Sequence, residues 1–123
     1  MMVDEITLTL PRESDFQTVA HLVLGGLAAR LNLTLENLED LQLALGALLG
    51  RKGSLDEQPV TVRMTIREDE LEILVGPLDG KLLEAVDRDA EDELGVRRVL
   101  ESTVDDVQVD GRSVRLTKQV ALG

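Results

Sequence analysis

Val60-Thr61-Val62-Arg63-Met64-Thr65-Ile66-Arg67 and, after Glu68-Asp69-Glu70, Leu71-Glu72-Ile73-Leu74-Val75 form the stretch on which the fold turns. In the first run apolar side chains alternate with Thr and Arg. Successive side chains of a strand point to opposite sides, so this is a strand with one buried and one wet face. The acidic triplet turns the chain back, and the two runs form a hairpin. A wet face rich in Thr and charge points to an antiparallel sheet covered on one side only.

Working toward the N-terminus, Leu38, Leu41, Leu45, Leu48 and Leu49 recur at helical spacing behind Thr34, which can cap the helix. Arg51, Lys52 and Gly53 mark its end. Before it, Ser14 and Gln17 make a capping box for a helix carrying Phe16, Val19, Ala20, Val23, Leu24, Leu27 and Leu31 up to Asn32. Ile6, Leu8 and Leu10 alternate with Thr7 and Thr9 before Pro11, a short first strand. Toward the C-terminus, Gly76-Pro77-Leu78-Asp79-Gly80 breaks the hairpin. The acidic run Asp87-Arg88-Asp89-Ala90-Glu91-Asp92-Glu93 reads as a solvated loop leading into a third helix through Leu94, Val96, Val99 and Leu100. Val107 and Val109, an Asp110-Gly111 turn, then Val114, Leu116 and Val120 predict a closing hairpin.

The order is β-α-α-β-β-α-β-β. Five strands with one apolar face each and three helices with one apolar stripe each predict an α+β, two-layer sandwich, a mostly antiparallel sheet with the helices on one face. The open face is expected to show Thr7, Thr9, Thr61, Arg63, Thr65, Arg67, Glu72, Arg115, Thr117 and Gln119. A chain of 123 residues fits one domain, residues 1–123.

Composition narrows the function classes. There is no cysteine, which removes thiol catalysis, disulfides and Cys-based metal sites. His21 is the only histidine and falls among Val19, Ala20 and Leu22, where a half-buried or surface imidazole is expected before a catalytic one. A net charge of −11 and a single aromatic residue, Phe16, argue against nucleic acid and for solubility or a basic partner. The longest apolar stretch, from Val19 to Leu31, is interrupted by His21, Gly25, Gly26 and Arg30, so no membrane span is expected. Met1-Met2-Val3-Asp4-Glu5 has no basic start or apolar segment, and a cytoplasmic location is the expectation. The acidic run imitates a calcium loop through Asp87, Asp89 and Glu91 but lacks the central Gly and places Arg98 at the twelfth position; no metal site is expected.

The element order, with the opening Leu10-Pro11 and the closing Val114-Arg115-Leu116-Thr117-Lys118, resembles the ATP-binding domain of bacterial anti-sigma factor serine kinases, within the histidine-kinase and Hsp90-like ATPase superfamily. The resemblance runs from about Ile6 to Ala121 and rests on layout and apolar spacing. In that family the second helix carries a Glu that acts as base and, one turn on, an Asn that holds magnesium. Residue by residue these fall on Ala47 and Arg51. Alanine takes no proton, and a guanidinium repels a metal. The family's adenine-reading Asp after the third strand falls on Pro77, and its two glycines on Asp79 and Lys81. An Asp-Gly pair survives as Asp79-Gly80, and a loop shifted by two residues would bring that carboxylate to the adenine. The Gly-Leu-Gly-Leu helix start becomes Glu93-Leu94-Gly95-Val96, in which Gly95 keeps the pattern and Glu93 adds a repelling charge. Each of these residues also has a structural reading: Gly95 as a close-packed helix start, Gly46 and Gly50 as helix contacts, Arg51-Lys52 as a helix C-terminus.

Three functions follow. The first is a degenerate, non-catalytic anti-sigma-type module that regulates transcription or a stress response by protein contact, with no cofactor. The resemblance implies as partners a sigma factor or an anti-sigma antagonist, and a homodimer. Contacts are expected at the ends of the first two helices and in the loop 77–93. The second is a divergent serine kinase or ATPase using ATP or ADP with magnesium through Asp79, Gly80 and Gly95 and an acid from Glu91-Asp92-Glu93. The third is a structural dimerisation unit pairing through its open sheet face.

Overall fold

A computed structural model describes residues 4–10, 16–31, 33–49, 59–67, 69–87 and 95–119. The hairpin predicted at 60–75 is its centre. Strands β2 (Val60–Arg67) and β3 (Glu70–Gly76) pair antiparallel with Met64 opposite Ile73 and Arg67 opposite Glu70. Strand β1 (Asp4–Leu10) adds to the outer edge of β2 with Leu8 opposite Val62. Strand β5 (Ser113–Gln119) adds to β3 with Leu116 opposite Ile73, and β4 (Asp106–Asp110) closes the other edge. The sheet order is β1-β2-β3-β5-β4, every pair antiparallel. The β4–β5 turn needs the left-handed conformation at Gly111, with φ of 64°, which glycine adopts without a Cβ penalty.

Among the described residues four helices accompany the sheet: α1 (Phe16–Leu31), α2 (Leu35–Leu49), α3 (Gly80–Asp87) and α4 (Val96–Thr103). Their apolar stripes share one core with the sheet. Leu24 and Leu27, Leu41, Leu45 and Leu48, Leu82 and Val86, and Val96 and Leu100 meet Val62, Met64, Leu71, Ile73, Val114 and Leu116. The two-layer α+β sandwich is therefore as expected. Thr34 caps α2 as read from the sequence: its Oγ1 accepts the backbone N–H of Asn37 at 3.0 Å. The Ser14 capping box, the Arg51-Lys52-Gly53 end of α2, the 88–94 part of the acidic run and Val120 lie outside the described residues.

The helix count differs from the expected three. The sequence predicts one loop over 77–93, yet Gly80–Asp87 is a helix with Leu82, Ala85 and Val86 buried, so the order is β-α-α-β-β-α-α-β-β. Eight residues are too few for helical periodicity to stand out beside a Gly-Pro break, and so short a helix owes its stability to packing. That packing is visible. Arg97 Nη1 donates to the Val86 carbonyl at 2.7 Å, fastening the end of α3 to α4. The N–H of Leu78 donates to the Arg112 carbonyl at 2.8 Å, fastening the start of the segment to the β4–β5 turn. Two residues assigned to apolar stripes stand partly in water: Val19 of α1 is 43% exposed and Val99 of α4 is 37% exposed.

The open face carries the expected Thr and charged set. Thr9 and Thr61 hydroxyls meet at 3.2 Å across β1 and β2. Glu72 sits between Arg67 at 3.6 Å and Arg115 at 3.7 Å, and Arg115 Nη2 reaches Asp110 at 2.6 Å. Thr65 departs from the expectation and is buried. It faces Glu5 and Glu72 across its two neighbours, in mid-sheet, where long charged side chains close over a short one.

Lys118 belongs to the other face. In β5 it follows Val114 and Leu116 on the core side, at the rim of the helix layer. Its Nζ donates to Asp40 Oδ2 of α2 at 3.0 Å and to the Thr103 carbonyl at 2.8 Å, the C-terminal end of α4. One cation thus ties β5 to two helices.

Candidate functional site

Helix α2 buries Leu41, Ala44, Leu45 and Leu48 against the sheet. Its other side carries Glu39, Leu43 and Ala47, spaced by four and therefore in one row, beside Gln42 and Gly46. Helices α1 and α4 each pack against α2, and together they leave a groove of about 600 Å³ over this row. His21 of α1 and Val99 of α4 complete its lining with Glu39, Gln42, Leu43, Gly46 and Ala47.

The lining is mostly apolar. Leu43 is 58% exposed. Glu39 is the only carboxyl among the described lining residues. His21 is half-buried, and its Nε2 is closed off from solvent with no hydrogen-bond partner among the described residues. The described lining residues offer no hydroxyl and no Lys or Arg. Its chemistry is that of a binding surface: apolar contact, one negative charge, an amide and an imidazole.

Of the positions singled out from the sequence, Ala47 lines this groove and is half-buried. Arg51 lies outside the described residues. Pro77 is half-buried behind β3, after a cis Gly76–Pro77 bond. Asp79 is half-buried and its carbonyl accepts the N–H of Leu83 at 3.0 Å, closing the first turn of α3. Gly80 and Lys81 are exposed at the start of α3. Gly95 precedes α4 with φ of 69°, so its glycine identity is explained by backbone conformation. None of Pro77, Asp79, Gly80, Lys81 and Gly95 lines the groove. Among the described residues there is no group of three or more His, Asp or Glu placed to hold a metal ion.

Sequence reasoning did not single out Glu39, Gln42, Leu43 or Val99 as a surface, and treated His21 alone. One signal was present: Leu43 is apolar but lies off the stripe formed by Leu41, Leu45 and Leu48. No helix among the described residues is long and apolar enough to cross a membrane.

No protein-family model matches the chain. It is 29% identical over 141 aligned positions to the serine-protein kinase RsbW of Listeria monocytogenes serovar 1/2a, covering 97% of this chain and 89% of that protein. It is 28% identical over 142 positions to the serine-protein kinase RsbW of Bacillus pumilus, covering 94% and 86%. A shorter match to RsbW of Bacillus velezensis reaches 31% identity over 78 positions, 59% of this chain and 49% of that protein. These similarities support the resemblance to serine kinases of the anti-sigma type.

Proposed function

We propose that this chain is a regulatory module of the anti-sigma serine-kinase type that acts by protein contact and does not transfer phosphate. Near full-length similarity to serine-protein kinases supports the family. The observation that carries the non-catalytic reading is Ala47. The residue matched to the base is a methyl group in a largely apolar groove, and the one carboxylate among the described lining residues, Glu39, lies two turns away along α2. The matched residues do not suit a magnesium nucleotide either. Ala47 and Pro77 offer no side-chain ligand, and Arg51 would repel the ion, so the charge neutralisation that phosphoryl transfer depends on has no anchor there.

Under this reading regulation is occupancy. The domain covers a functional surface of its partner, a sigma factor or an anti-sigma antagonist as the resemblance implies, and is released by competition. A homodimer belongs to the same proposal and is read by light scattering. The divergent kinase stays as the second reading, because the similar proteins are named kinases, Gly95 keeps the family pattern, and an Asp-Gly pair survives two residues on as Asp79-Gly80.

A thermal-shift titration with ATP and ADP, each with and without magnesium, separates the two. A ligand at 100 times its Kd adds about 2.7 kcal/mol, a rise of several degrees for a domain this size. The contact reading predicts no rise at millimolar nucleotide. A magnesium-dependent rise that Asp79→Ala removes would establish the kinase reading instead.

A further inference from the structure

The groove over α2 is broad and open to solvent. Its volume of about 600 Å³ lies within the range of small-molecule sites, about 300–1,000 Å³. Leu43, Gly46, Ala47 and Val99 give it apolar walls, and the exposure of Leu43 and Val99 leaves hydrocarbon in water that an apolar ligand would cover. Its polar groups are few: Glu39, Gln42 and His21.

Charge selects among occupants. Among the described lining residues Glu39 is the one carboxyl and there is no Lys or Arg, and the chain as a whole carries −11. A cation is attracted to this groove, and a phosphate or carboxylate is repelled. His21 adds a second demand. Its Nε2 is shut away from water without a partner among the described residues, which is costly for a polar atom. A small turn of the ring toward a ligand N–H would satisfy it.

We infer that this groove is a binding site for a small organic cation with an apolar body, an alkyl or aryl amine. The hydrocarbon part lies on Leu43, Gly46, Ala47 and Val99. The ammonium pairs with Glu39 and gives an N–H to the His21 imidazole or the Gln42 carbonyl. Of the matched nucleotide positions among the described residues the site uses only Ala47.

The chain provides its own reporter, because His21 is its one histidine and its ring C–H signals stand alone in the histidine region of an NMR spectrum. The full chain is titrated separately with hexylammonium, 1-hexanol and hexanoate. The expected order of affinity is amine, then alcohol, then carboxylate, with saturable movement of the His21 signals. Glu39→Gln lowers amine affinity about two- to five-fold, toward the alcohol. Gly46→Leu and Ala47→Leu, each checked for an unchanged dispersed spectrum, block the groove and weaken the amine and the alcohol alike. Equal affinity for amine and carboxylate overturns the proposal, as does amine binding indifferent to Glu39→Gln. So does the absence of a saturable shift with all three probes, the result expected of a groove that only a partner protein fills.

Discussion

Lys118 shows how one side chain sets the geometry of a layer. Its side chain is 13% exposed and that of Asp40 is 28% exposed, so this pair is partly desolvated, unlike the Arg63–Glu5 pair at the sheet edge. Lys118→Met leaves the Asp40 carboxylate without its cation and the end of α4 without its donor. The expected loss is about 1–3 kcal/mol of unfolding free energy, measured by urea denaturation. Adding Asp40→Leu to that variant removes the stranded charge and should recover more than half of the loss. Additive losses in the double variant would mean that the pair is not coupled. Glycine is informative at the same scale where the chain comes close to itself. A Cβ at Gly76 would overlap Ser113 across the sheet, so this glycine is dictated by a neighbour distant in sequence. Gly95, by contrast, is dictated by its own backbone conformation.

At the scale of elements, α3 is the part that sequence periodicity did not reveal. It is held by Leu82, Ala85 and Val86 below and by the hydrogen bond from Arg97 at its end. Arg97 also pairs with Glu101 one turn on, at 3.6 Å, which orients the guanidinium along α4. Arg97→Ala frees the Val86 carbonyl and should cost about 1 kcal/mol. The more specific expectation is faster amide exchange confined to 80–87, with β2 and β3 unchanged. Exchange rising evenly over the whole chain would show that α3 has no separate opening. Helix α2 makes the opposite case. Its core stripe, its Thr34 cap and its spacing all agreed, and it stands where the sequence indicated.

For the whole molecule, charge decides how stability answers to solvent. The 24 acidic and 13 basic residues leave a strong net repulsion. Several observed ion pairs are exposed and contribute little: Arg63 and Glu5 are each about half exposed, at 3.8 Å. Raising salt from about 0.01 M to about 0.1 M shortens the screening length from about 30 Å to about 10 Å. Repulsion is long-ranged and fades more than the short pairs do, so Tm should rise with salt, as calorimetry would read. A falling Tm would mean that the ion pairs outweigh the repulsion.

The sequence by itself determined the two-layer sandwich, because periods of two and of about four write the buried face of each strand and long helix directly into the chain. It also determined the absence of cysteine chemistry. Tertiary structure alone decided the rest. Residues 80–87 became a helix because α4 and the sheet offered a surface to cover. Thr65 was buried by neighbours from two other strands. His21, Glu39, Leu43 and Val99 became one groove because three helices left a gap between them, and a gap is a property of packing that no single segment encodes.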